Sequence, residues 1–180
     1  MSTTLRLRIL IDTEGDNNVF RDIEMLSNAT FEELHVTIQE NFNFDNSQMA
    51  SFYETDDAWE RGDEIMLMDM SMDDKQTVRL MKDVLIGESL AAAEDKMLYV
   101  FDFMVMWTFF VEVVSTGKVS ADISYPNILL SVGDAPAQDS KSAEDLFGSM
   151  KSEMIDGSVD EFDDDEDYDE FDMDNNYPSY

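Results

Sequence analysis

The stretch 96–116 constrains this chain more than any other. From Met97 to Val114 only Asp102, Thr108 and Glu112 interrupt a run of Met, Leu, Val, Phe, Tyr and Trp. Successive side chains of a strand point to opposite faces, so apolar residues on both parities fit a strand, or two strands, covered on both sides. The run approaches membrane-spanning length, but Asp102 and Glu112 would then lie in hydrocarbon. It reads as the floor of a core.

The segments before it alternate at shorter range. Leu5, Leu7, Ile9 and Ile11 oppose Arg6, Arg8 and Asp12, which is a strand. A turn at 14–18 leads to Val19–Leu26, where Val19, Arg21, Ile23 and Met25 oppose Phe20, Asp22, Glu24 and Leu26, so an opening hairpin is expected. Thr30-Phe31-Glu32-Glu33 is a capping box, in which hydroxyl and carboxylate each reach the other residue's backbone N–H. The helix it starts carries Phe31, Leu34, Ile38 and Phe42 as one stripe and should end near Asn41. Further on, the pattern predicts a short strand at Met49–Glu54 and a loop at Asp56–Asp63. It then predicts a strand with a methionine face (Met66, Met68, Met70, Met72) and a short helix over Thr77–Leu85. After the central run come a turn at Ser115–Lys118, a strand at Val119–Tyr125, and a helix from Ser142 carrying Leu146, Phe147 and Met150.

Charge divides the chain. The net charge is −31, and residues 156–180 hold twelve acids and no Lys or Arg, which leaves 30 acids against 11 bases on 1–155. One domain over 1–155 followed by an acidic tail that is disordered when free is the expected organisation. A field of this sign repels nucleic-acid phosphates and attracts basic proteins. The chain has no cysteine, hence no disulfide or thiolate site, and its N-terminus alternates where an export signal would show a basic cluster and an apolar core. A cytoplasmic location is expected.

Chemistry-bearing residues are few. His35 is the sole histidine; beside Leu34 and Ile38 it fits a satisfied boundary residue better than a general base, and one histidine makes no His-based metal site. The methionine run could be read as a thioether copper(I) site, but without His or Cys it fits an adaptable half-buried face better. Asp102 is suited to anchoring a turn through backbone N–H groups. Tyr168 stands where a calcium loop starting at Asp163 needs glycine. No phosphate-binding glycine loop or nucleophile elbow is present, so neither catalytic residue nor cofactor is assigned.

Thr30-Phe31-Glu32-Glu33-Leu34-His35, Ile38-Gln39, Phe42, Phe44-Asp45, then Tyr99, Asp102-Phe103, Trp107 and Tyr125-Pro126 stand in an order and spacing that resembles the plasmid pRiA4b ORF-3-like family over roughly residues 5–150. The resemblance implies a small α+β fold. It also brings a resolvase-like, mobile-element label, and with it the alternative of a nucleic-acid enzyme or accessory factor. The departures weigh against that alternative. Gln48 and Ala50 stand where the family carries His-x-His, and Met104, Val105 and Phe109 replace Gly, Asp and His of its Asp-Phe-Gly-Asp-x-Trp-x-His. Pro136-Ala137-Gln138-Asp139 lacks the Glu of a Pro-Pro-Glu-Asp pattern. The same comparison makes the central run a hairpin, with strands 97–103 and 107–114 around the tip Met104-Val105-Met106. Three apolar residues at a tip are either covered by the body or form a contact surface.

The sequence therefore predicts a single-domain α+β protein, with a mixed or antiparallel sheet of hairpins packed against a few helices. Its expected role is non-catalytic: binding a basic protein partner, such as a part of nucleic-acid-handling machinery, with no direct contact to nucleic acid or membrane. The contact residues expected are Met104, Val105 and Met106 at the tip and Phe162, Asp164, Asp165, Glu166, Tyr168, Phe171 and Met173 in the tail. The aromatic residues spaced among the tail acids suit docking on a basic groove.

Overall fold

The structure, a computed structural model, describes residues 3–13, 18–70 and 77–144. Strands β1 (Thr3–Ile11), β2 (Val19–Leu26), β3 (Ala50–Thr55), β4 (Arg61–Met66), β5 (Arg79–Leu80), β6 (Lys96–Phe101), β7 (Trp107–Lys118) and β8 (Asn127–Val132) form one sheet in the order β5-β4-β3-β6-β7-β1-β2-β8. Every neighbouring pair is antiparallel except β4 and β5. With helix α1 (Phe31–Asn41) and the one-turn α2 (Ile86–Ser89), this is an α+β fold built around one mixed sheet.

The alternation read in β1 and β2 is the alternation of the fold. Leu5, Leu7, Ile9 and Ile11 pair with Met25, Ile23, Arg21 and Val19, and all are buried on the face that α1 covers. The α1 stripe of Phe31, Leu34, Ile38 and Phe42 is fully buried there; Phe31 meets Phe52 at 5.0 Å and Phe42 meets Phe109 edge-on at 5.0 Å. The capping box forms as expected, Glu33 N–H donating to Thr30 Oγ1 and Thr30 N–H to the Glu33 carboxylate. Arg21 is the exception on the core face. Its guanidinium lies over the Phe42 ring and donates to the carbonyls of Phe20, Asn41, Val132 and Gly133, which satisfies a charge that burial would otherwise penalise.

On the opposite face Asp22, itself without solvent exposure, accepts from Arg6 at 2.7 Å and from Arg8 at 2.8 and 2.9 Å. The Arg8 guanidinium also lies 4.6 Å from the Phe20 ring. Three neighbouring side chains thus close the charged side of the opening hairpin.

The central run is two strands, and only one of them is covered on both faces. β6 buries Met97 through Phe101 without a gap, whereas β7 alternates, with Trp107, Phe109, Val111 and Val113 buried and Thr108, Phe110 and Glu112 half-exposed. Its two polar residues mark that outer face.

Four further expectations are corrected. The methionine strand ends at Met66, because its partner β3 begins at Ala50 and no ladder remains for Met68 and Met70; these are 61% and 49% exposed. Met72 lies outside the described residues. Thr77–Leu85 is not helical, since Arg79 and Leu80 pair with Ile65 and Met66, and the turn after them gives the carbonyls of Met81 and Val84 to the N–H groups of Glu32 and Phe31. Those are among the donors a helix start leaves open. The helix comes later, at Ile86–Ser89, with Gly87 so close to Ser27 that a Cβ would lie 2.7 Å from its carbonyl oxygen. Finally, 115–118 is no turn, since β7 stays paired to β1 as far as Lys118 opposite Thr3, and the strand expected at Val119–Tyr125 is absent, because 119–126 must cross the ends of β1 and β2 before β8 forms at Asn127. The expected helix residues Leu146, Phe147 and Met150, and the whole tail, lie outside the described residues.

Candidate functional site

One end of the sheet gathers three segments that are far apart in sequence. The first is the β6–β7 tip. Asp102 adopts a left-handed conformation (φ 57°), its carboxylate accepts Met104 N–H at 3.0 Å, and its carbonyl accepts Val105 and Met106 N–H at 3.1 and 2.7 Å. Met106 is left-handed as well (φ 56°). This is the turn-anchoring role read for Asp102, and it holds an apolar tip in one shape. Of the three expected contact residues, Met104 points out, 65% exposed, while Val105 packs against the core edge and Met106 is half-buried. Covered or exposed is therefore answered residue by residue.

The second segment follows α1. Asp102 N–H donates to Met49 O at 2.9 Å, and Phe44 sets its ring against Phe101, Trp107 and Phe109 at 5.2–5.9 Å. The third follows β8. The Gln138 amide clasps Asp45 from both ends: Asp45 N–H donates to Gln138 Oε1 at 2.7 Å, and Gln138 Nε2 donates to Asp45 Oδ1 at 2.8 Å. Trp107 Nε1 donates to Gln138 O, and Lys141 Nζ sits 4.6 Å from the Trp107 ring. Hydrogen bonds from Ser47 and then Gln138 hold the Asp45 carboxyl below its usual range.

Beneath this end lies a closed ring of polar groups. Gln39 Nε2 donates to Tyr99 Oη at 2.9 Å, Tyr99 Oη lies 2.6 Å from His35 Nδ1, and His35 Nε2 contacts Asn46 Oδ1. Asn46 N–H returns to Gln39 Oε1 at 3.2 Å. The amide oxygen of Asn46 only accepts, so Nε2 carries the imidazole proton and Nδ1 accepts from the tyrosine. Burial holds His35 below its ordinary pKa despite the Asn46 contact and nearby Glu32, and pushes the Tyr99 phenol up. Both ring nitrogens are occupied, which fits the boundary histidine read from the sequence. The sequence reading did not pair Gln39 with His35, although helical spacing of four residues puts them on one face; Tyr99 and Asn46 had no local signal.

The family can now be placed on this geometry. The sequence profile described as "Plasmid pRiA4b ORF-3-like protein" matches residues 3–175. The chain belongs to this family. A crystal structure of a protein of unknown function from Methanosarcina mazei Go1 shares the fold, with a TM-score of 0.65 and 19% identity over 88% of this chain and 85% of that one. No curated protein matches. Phe44, Asp45, Asp102 and Trp107, four of the positions that carried the resemblance to the pRiA4b ORF-3-like family, lie in the three converging segments. Ala50 and Phe109, which stand at two histidine positions, are buried, Phe109 among Phe42, Phe44 and Tyr99. Gln138, which the resemblance sets at a glutamate position, exchanges two hydrogen bonds with Asp45. Among the described residues no cluster of three or more His, Asp or Glu is placed to hold a metal ion, and no helix is long and apolar enough to cross a membrane. Phe162, Asp164, Asp165, Glu166, Tyr168, Phe171 and Met173 lie outside the described residues.

Proposed function

We propose that this pRiA4b ORF-3-like protein is a non-catalytic interaction module that docks its acidic tail on a basic protein partner, with Met104 at the hairpin tip as a second point of contact. The observation that carries the reading is the charge pattern: −31 overall, with twelve acids and no base after residue 155, spaced by Phe162, Tyr168, Phe171 and Met173. Such a segment matches a groove built for a polyanion, so a component of nucleic-acid-handling machinery is the partner class that fits. The architecture is consistent with this role. A held backbone presents the exposed Met104 side chain at the tip, and His35, Tyr99 and Gln39 are hydrogen-bonded to one another in the interior.

Affinity capture tests the proposal, with the full chain and a full-length variant in which the acids of 156–174 are changed to amides, each at low and high salt. The native chain should retain a basic protein that high salt or the amide variant releases. The same proteins on both chains under both conditions would contradict it.

A further inference from the structure

The two edges of the sheet are finished differently. At one end β5 has only two residues, and Arg79 is held by Glu54 and Ser89, a short charged edge of the kind that discourages strand addition. At the other end β8 runs for six residues, and among the described residues no strand pairs with its outer edge. Leu129 is the extra residue of a bulge opposite the Asp22–Ile23 step, and Ile128, Leu129 and Leu130 emerge together at 41–43% exposure. Val119 and Ile123, on the segment leading into β8, are 44% and 39% exposed. Five large apolar side chains from residues 119–130 therefore face solvent, close to half of all such residues described.

Charge decides what could cover them. The residues from Ile123 to Gly133, which hold four of these five, form the longest stretch in this chain without Asp, Glu, Lys, Arg or His, with Asp122 and Asp134 only at its ends. A cationic partner is drawn to carboxylates, and this stretch offers none. Two copies of a −31 chain repel wherever acids face each other, so an uncharged edge at one side of the sheet is where they can approach at least cost; beyond about 8 Å at physiological salt the remaining repulsion is screened. The neighbouring carboxylate of Asp22 is already neutralised by Arg6 and Arg8.

We propose that β8 is a self-association edge, packing against β8 of a second copy of this chain about a twofold axis. An isologous contact needs only one self-complementary patch, and Ile128, Leu129 and Leu130 repeat across such an axis. The patch is smaller than the roughly 20–30 residues per side of a standard stable interface, so the dimer is reversible and depends on concentration. Residues 119–130 share no residue with the tail or the tip, and a dimer would carry two tails.

Sedimentation of the full chain tests the proposal at about 100 μM, a concentration at which a weak interface is populated. The expected mass is near twice the 20.6 kDa of one chain, falling to one chain on dilution and holding or rising as salt increases. Leu129→Asp should weaken association at least tenfold with an unchanged circular dichroism spectrum. Because the chain has no cysteine, Leu129→Cys offers a second reading that leaves the edge apolar: under mild oxidation it should give a covalent dimer, and Met104→Cys should not. A monomer at every salt concentration, a dimer that Leu129→Asp leaves intact, or equal crosslinking at both positions would overturn the proposal.

Discussion

The Tyr99 hydroxyl donates to His35 Nδ1 across 2.6 Å in the interior, in the tautomer that the acceptor Asn46 Oδ1 sets at Nε2 of the chain's one histidine. Burial lowers the His35 pKa in the folded protein relative to 6.5. The unfolded chain therefore takes up the proton first, and stability is lost as pH falls below about 6.5 towards the lower folded value. A sole histidine gives a single imidazole resonance. Its NMR titration should have a midpoint below 6.5, with the proton on Nε2 above it. A midpoint above 6.5 would contradict the closed ring.

Removing the hydroxyl should be costly. Tyr99→Phe leaves Gln39 Nε2 and His35 Nδ1 without their partner in a buried site, at a cost of about 1–3 kcal/mol. Urea unfolding measures it. A loss under 0.5 kcal/mol would mean that the ring is not intact in solution.

Asp22 ties Arg6 and Arg8 together with no solvent exposure of its own. Their hydrogen bonds, Arg8 first, hold its carboxyl below the ordinary 3.8. The stabilisation is therefore present above 3.8 and lost as pH falls through the lower folded value. Because both arginines remain partly hydrated, Asp22→Asn should cost about 1–3 kcal/mol at neutral pH. The gap between variant and native chain, followed by urea unfolding, should close in strong acid.

The tip can be tested by a graded series at Asp102. Asn keeps both the left-handed backbone and an acceptor for Met104 N–H and should be nearly neutral. Gly keeps only the backbone, and Ala keeps neither and adds the strain of a positive φ, about 1–2 kcal/mol. The expected order of thermal stability is Asn, Gly, Ala. Ala equal to Asn would show that the turn is not held as described.

What the sequence disclosed follows from how local each signal is. Period-two alternation in β1 and β2, the Thr30–Glu33 box and the Asp102 turn are all set within a few residues, and each was read correctly. The failures lie where a distant strand decides. Met68 and Met70 keep a strand's spacing but lack a neighbour once β3 begins at Ala50, and Ser115–Lys118 looks like a turn until β1 pairs with it. At the candidate site Asp102 and the tip were legible. The clasp between Gln138 and Asp45, 93 residues apart, and the ring through Tyr99 were not, because nothing nearby in sequence specifies them.

In the proposed function, charge in the tail drives docking on a basic partner. The most direct test is the affinity of the captured partner for the full chain and for the amide variant of residues 156–174, by titration calorimetry across a salt series. For the native chain, log K should fall steeply and linearly with log salt; the variant should bind at least tenfold more weakly at low salt, with a shallow slope. Equal affinities and equal slopes for the two chains would contradict it.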